Sequence, residues 1–189
     1  MCDRVEGGGS VDYHYDEAKF AELVLYVARR LESDPAGGAV KLNKVIFFAE
    51  FAHVRAEGRP ITGVEFQKLE NGPAPRRLLP VRRQLIERGD AELRTETYLG
   101  RSQQRLVAKR EPDLTRFTPE ELKSVDEALS ELHGRSATDV SHLPHEEVGY
   151  RMVDEGETIP YEAAYLRPAV RTAAVRAHAA KLARDRAPS

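Results

Sequence analysis

A chain of 189 residues with 41% hydrophobic content can form one domain of ordinary size, which buries roughly 70% of its unfolded surface without a disulfide or a metal. Its 29 Lys and Arg against 31 Asp and Glu leave a formal charge of −2, which argues against a nucleic-acid footprint spread over the whole surface. One cysteine, Cys2, excludes an intramolecular bridge, and the lack of any membrane-length apolar run or signal-like stretch over Met1 to Tyr15 leads us to expect a soluble cytoplasmic protein.

Glu6-Gly7-Gly8-Gly9-Ser10 offers little side chain to bury, so residues 1–15 are expected to form a flexible arm. Phe20, Leu23, Val24, Val27 and Leu31 then fall on one face of an amphipathic helix that ends before Asp34-Pro35. A second helix is expected from about Val40 to Glu57. Its aromatic residues Phe47, Phe48 and Phe51 widen the apolar sector beyond one stripe, which places it in the middle of the domain. Gly58 and Pro60 terminate it.

Val64 to Leu69 is expected to be extended, followed by a shaped turn at Asn71-Gly72-Pro73-Ala74-Pro75. Leu78, Leu79, Val81, Leu85 and Ile86 predict a third helix closed by Gly89, with Pro80 tolerable only near its start. Glu92 to Tyr98 and Gln104 to Lys109 flank Gly100-Arg101-Ser102 and predict a β-hairpin, which must pack on helices to be stable. Thr118-Pro119-Glu120-Glu121 supplies an N-cap, a first-turn proline and a capping-box glutamate for a helix carrying Leu122, Val125, Leu129 and Leu132. Short helical pieces follow around Ser136 to Asp139 and His145 to Val153, then an extended Glu157 to Tyr161. Pro168 to Ala187 reads as a basic helix with a thin alanine face. The expected fold class is α+β and mainly α-helical. It is a compact helical domain over residues 16–166 with one hairpin and a basic C-terminal helix or tail over residues 167–189.

The chemistry-bearing motifs are few. His142 and His145 with Glu146 and Glu147 form the densest group of potential metal ligands, but Pro144 between the histidines breaks the geometry that would aim them together, and no further ligands complete a site. Capping is the expected role, and no metal or cofactor is expected. No Gly-x-Ser-x-Gly elbow and no phosphate-cradling Gly-Lys-Ser/Thr occurs, so no catalytic residue is assigned. Arg76-Arg77 with Arg82-Arg83 could meet phosphate or an acidic protein surface, although a solvated face is the usual explanation of such a run.

Lys41-Leu42-Asn43-Lys44 leading into an aromatic-rich helix, Gly58-Arg59-Pro60-Ile61, and Phe66-Gln67-Lys68-Leu69 ending in Gly72-Pro73 together resemble the Panacea domain of SocA-like antitoxins. Pro144-His145-Glu146 and the Ile159-Pro160-Tyr161 stretch continue the resemblance, over about Phe20 to Leu166, with Tyr150 where the family usually has tryptophan. The resemblance implies an antitoxin that neutralises a cognate toxin, encoded beside it, by direct protein contact. One alternative is an adaptor that delivers the toxin to a cellular protease. A DNA-binding autorepressor is the other, with the C-terminal basic helix as its only candidate element. Binding surfaces centre on aromatic and arginine anchors, and Phe66, Arg76, Tyr98, Tyr150 and Tyr161 lie near loops. Aromatic residues at strand or helix spacing are usually core, so part of this set is expected inside.

Overall fold

The computed structural model describes residues 13–136, 139–140 and 148–166. In chain order its elements are α1 (Glu17–Leu31), α2 (Ala39–Glu57), β1 (Phe66–Gln67), β2 (Ala74–Pro75), α3 (Leu78–Glu87), β3 (Ala91–Tyr98), β4 (Arg101–Ala108), α4 (Pro119–Leu132), α5 (Val148–Met152) and β5 (Thr158–Ile159). Single 3-10 turns occupy Leu114–Arg116 and Tyr161–Tyr165. This is an α+β arrangement. The expected C-terminal helix lies outside the described residues, as do His142, His145, Glu146 and Glu147.

Local signals start and stop the helices. The Asp16 side chain accepts the Lys19 N–H at 2.9 Å and caps α1. Gly58, with φ of 75°, closes α2 in the left-handed region that costs a residue with a Cβ atom. At α4, Thr118 and Glu121 satisfy each other's backbone N–H groups in a complete capping box. α2 is the central element: it is buried nearly all round and packs on α1, α4 and the C-terminal 3-10 turn. α1 is buried by α2, α3, α4 and β4 together.

Two small sheets complete the body. β1 is the middle strand of an antiparallel three-stranded sheet, order β2-β1-β5, with Phe66 opposite both Pro75 and Ile159. The sequence reading finds its β1 and β5 segments but takes β2 as loop, because two bridging residues within a proline-rich turn leave no periodic pattern. The Asn71–Pro73 turn positions β2 against β1, with Gly72 at φ 97° and its N–H donating to Leu69 O at 2.8 Å. Gly72→Val should therefore lower stability by about 1–3 kcal/mol through backbone strain. An unchanged melting temperature would refute this assignment.

β3 and β4 form the expected hairpin, but its turn is one step earlier than expected. Tyr98 pairs with Arg101, leaving the two-residue turn Leu99-Gly100, with φ of 48° and 75°. Positive φ at both central residues is the type I′ geometry that matches strand twist. It costs a leucine roughly 1–2 kcal/mol, which is why the sequence alone favours Gly100-Arg101-Ser102. The hairpin is moored at β4: Arg105 donates to Leu31 O (2.6 Å) and Asp34 O (2.9 Å) and pairs with Glu96 (2.7 Å). Leu31 O and Asp34 O already accept the Asp34 and Gly37 N–H groups, so Arg105 adds a second, charged donor to each. Gln103 adds a bond to Pro35 O at 2.8 Å.

Residues 13–15, expected within a flexible arm, pack on the body. Tyr13 stands edge-on to Tyr161 at 5.5 Å and donates to Gly58 O, Tyr15 stacks near Phe20, and the Asp16 N–H donates to Thr62 O. The two aromatic rings, Tyr13 and Tyr15, supply the apolar area that holds this segment to the core.

Candidate functional site

The Lys-Leu-Asn-Lys run of α2 is buried rather than solvated. Lys41 is fully buried and pairs with buried Asp34 at 2.6 Å. Burial pushes the Asp34 carboxyl up, but bonds from Lys41 and from the Ala36 and Gly134 N–H groups outweigh it and hold the carboxyl below the ordinary range. One turn on, Lys44 donates to Asn71 O at 2.8 Å and Pro73 O at 3.2 Å, and desolvation lowers its ammonium to about 8. A third turn places Glu50, wholly buried, beneath the turn that follows Pro60. It accepts Ile61 N–H at 2.7 Å and both the N–H and hydroxyl of Thr62. Desolvation raises its carboxyl to about 7.

The same logic holds further along. Lys68 donates to Val153 O at 2.8 Å with its ammonium 4.9 Å from the Tyr150 ring centroid, and the Tyr150 hydroxyl donates to Leu69 O at 2.6 Å. Lys41, Lys44, Gly58, Lys68, Gly72 and Pro73 thus hold loops to α2 and to each other. Asn43, half-buried beside them, has an Oδ1 without a partner among the described residues.

Of the five proposed anchors, three are in the core. Phe66 and Tyr161 join Phe47 and Phe51 in one aromatic cluster, with Phe47 5.3 Å from Phe66 and Phe51 5.2 Å from Tyr161. Tyr150 is buried as well. Their apolar faces are already used in folding, so they do not offer a free surface. Arg76 is accessible but engaged: it donates to Gly156 O at 2.7 Å and Gln67 Oε1 at 3.1 Å, and clamps the small sheet. Tyr98, half-buried, is the one aromatic anchor of the five that lines a surface groove. Sequence reasoning could not separate these five, because each sits on a short element whose covered face is chosen by remote segments.

One pairing resembles a nucleophile and base. His53 Nδ1 lies 3.1 Å from Ser124 Oγ. The Ser124 hydroxyl, however, also reaches Glu120 O at 3.1 Å, and while it donates there the imidazole is the donor to the serine. Desolvation lowers the His53 pKa, and the ring is closed to solvent. Its geometry serves packing, not acyl transfer. No group of three or more His, Cys, Asp or Glu among the described residues could hold a metal ion. None of the described helices is long and apolar enough to cross a membrane.

Among the grooves of the described surface, two flank anchors singled out in the sequence. One, of about 570 Å³, runs past Tyr13, His14, Gly63, Arg76 and Arg77. The other, of about 590 Å³, lies between the start of α2 and the hairpin tip, with Ala39 and Val40 facing Tyr98, Leu99 and Gln103.

The pattern described as "Antitoxin SocA-like, Panacea domain" matches residues 42–149, more than half of the chain. The chain belongs to this antitoxin family. No curated protein and no solved structure matches it. The matched Panacea region begins within α2 and ends in α5, a narrower span than the resemblance read from about Phe20 to Leu166. α1, β5 and the last 3-10 turn lie outside the match and still supply core residues, among them Phe20, Leu23, Ile159 and Tyr161.

Proposed function

We propose that this Panacea-domain protein neutralises a cognate toxin, encoded by an adjacent gene, by binding it directly. Family membership over residues 42–149 carries the reading. The buried polar motif residues support it, because they tie loops to α2 and fix the scaffold. A rigid scaffold lowers the entropy lost on association, which favours tight protein binding. Neither a protease nor a nucleic acid is needed for this action.

The test is co-expression with the adjacent gene's product. The protein should restore growth and co-purify with that product in a protease-deficient host. Specific contacts of this kind bury about 1,200–2,000 Å² in total. Failure of both rescue and co-purification would reject direct neutralisation, and rescue confined to protease-proficient cells would favour delivery to a protease.

A further inference from the structure

Hairpin pairing sets the backbone of residue 99, but folding does not explain a leucine there. Leu99 is 78% exposed, and it sits at φ 48°, the only residue other than glycine with positive φ among those described. The left-handed first position of a type I′ turn favours asparagine, aspartate or glycine, whose local hydrogen bonds or missing Cβ reduce the strain. A leucine there buries almost nothing within this chain. Conformational strain kept at an exposed apolar side chain points to a use outside the fold.

The surroundings make the tip a prepared contact. Leu99 and half-buried Tyr98 form one wall of the 590 Å³ groove, and Ala39 and Val40 form the other. The hairpin cannot swing freely, because Arg105 and Gln103 tie β4 to Leu31, Asp34 and Pro35. Arg101 is the one charged group among the described lining residues, and no carboxylate pairs with it there. A groove of this kind fits an apolar partner surface edged by carboxylates. It does not fit a second copy docked tip to tip, which would bring two Arg101 side chains together.

We infer that the hairpin tip, Tyr98 to Arg101 with Ala39 and Val40, is the surface that docks the toxin. Leu99 enters an apolar pocket of the toxin and Arg101 meets a carboxylate at its edge. The inference rests on the direct-neutralisation reading and names its interface.

The experiment measures binding of the purified adjacent gene product to the full-length wild type, Leu99→Asn and Arg101→Glu, with melting temperatures and sedimentation of each. Asparagine suits the turn, so Leu99→Asn should melt no lower than wild type while binding at least tenfold more weakly, about 1.4 kcal/mol. Arg101→Glu, an exposed change, should also weaken binding, and more so at low salt. If wild type binds and both variants bind within twofold of it, this surface is wrong while direct neutralisation stands. If wild type does not bind, both fall. A wild-type dimer that Leu99→Asn dissociates would assign the groove to self-association and overturn the toxin interface.

Discussion

Lys41→Ala should destabilise the protein by about 3–5 kcal/mol, because it strands a buried carboxylate without its counter-ion. Asp34 is 1% exposed in its side chain and Lys41 is 0%, with 2.6 Å between the charged atoms. The remaining donors to Asp34, the N–H groups of Ala36 and Gly134, carry no net charge, and the exposed His133 imidazole stands farther off at 3.8 Å. A typical domain is stable by only about 5–15 kcal/mol, so the loss would take a large share. Urea unfolding measures it. The double variant Lys41→Met/Asp34→Asn removes both charges and should recover part of the loss, since burying neutral groups avoids the desolvation of an unpaired ion. A loss below about 1 kcal/mol in Lys41→Ala would show that Asp34 gains solvent when Lys41 is removed. Asp34 joins the end of α1, the start of α2 and the end of α4, and its carbonyl anchors Arg105 of the hairpin. The same substitution should therefore loosen the hairpin before the core melts.

Glu50 should make stability fall as pH rises. Its folded carboxyl, at about 7, lies above the ordinary 4.5 because desolvation outweighs the bonds from Thr62 and Ile61. A raised acid keeps its proton longer in the folded state, so its contribution is fully present below about 4.5 and is lost through about 7. At about 1.36 kcal/mol per unit, the change across that window is on the order of 3 kcal/mol. Other acids move the opposite way: the Glu22 carboxyl, bonded by Arg110, is held below the ordinary range and loses its contribution as pH falls. The diagnostic quantity is therefore the difference between wild type and Glu50→Gln. Urea unfolding from pH 4.5 to 8.5 should give a wild-type curve that drops by that amount relative to Glu50→Gln. Parallel curves would show that Glu50 is not the titrating group. The Tyr161 hydroxyl, also buried and itself pushed well up by desolvation first and by the nearby Glu50 carboxyl, donates to Val64 O at 2.6 Å.

Short-range pattern accounts for much of the scaffold. The 3.6-residue spacing of Phe20, Leu23, Val24, Val27 and Leu31, the wide apolar sector that Phe47, Phe48 and Phe51 give α2, and the capping box at Thr118 and Glu121 each act within about one helical turn, so the sequence by itself determines α1, α2 and α4. It also determines family membership, through motif spacing in the matched region. Tertiary structure decided which charges are buried. A lysine on a helix is ordinarily solvated, and nothing local to Lys44 announces acceptors that lie 27 and 29 positions away. Arg105 likewise meets its carbonyls across 74 and 71 positions. The fate of the proposed anchors was set the same way: Phe66 and Tyr161 became core because β5 and the last 3-10 turn return to cover β1, whereas Tyr98 stayed half-buried at a groove because the hairpin extends past the bundle. Leu99 shows the limit most sharply. Local preference alone moves the turn to Gly100-Arg101-Ser102, but pairing of eight residues from Ala91 to Tyr98 with Arg101 to Ala108, fixed by Arg105 on α1, outweighs the cost of one left-handed leucine.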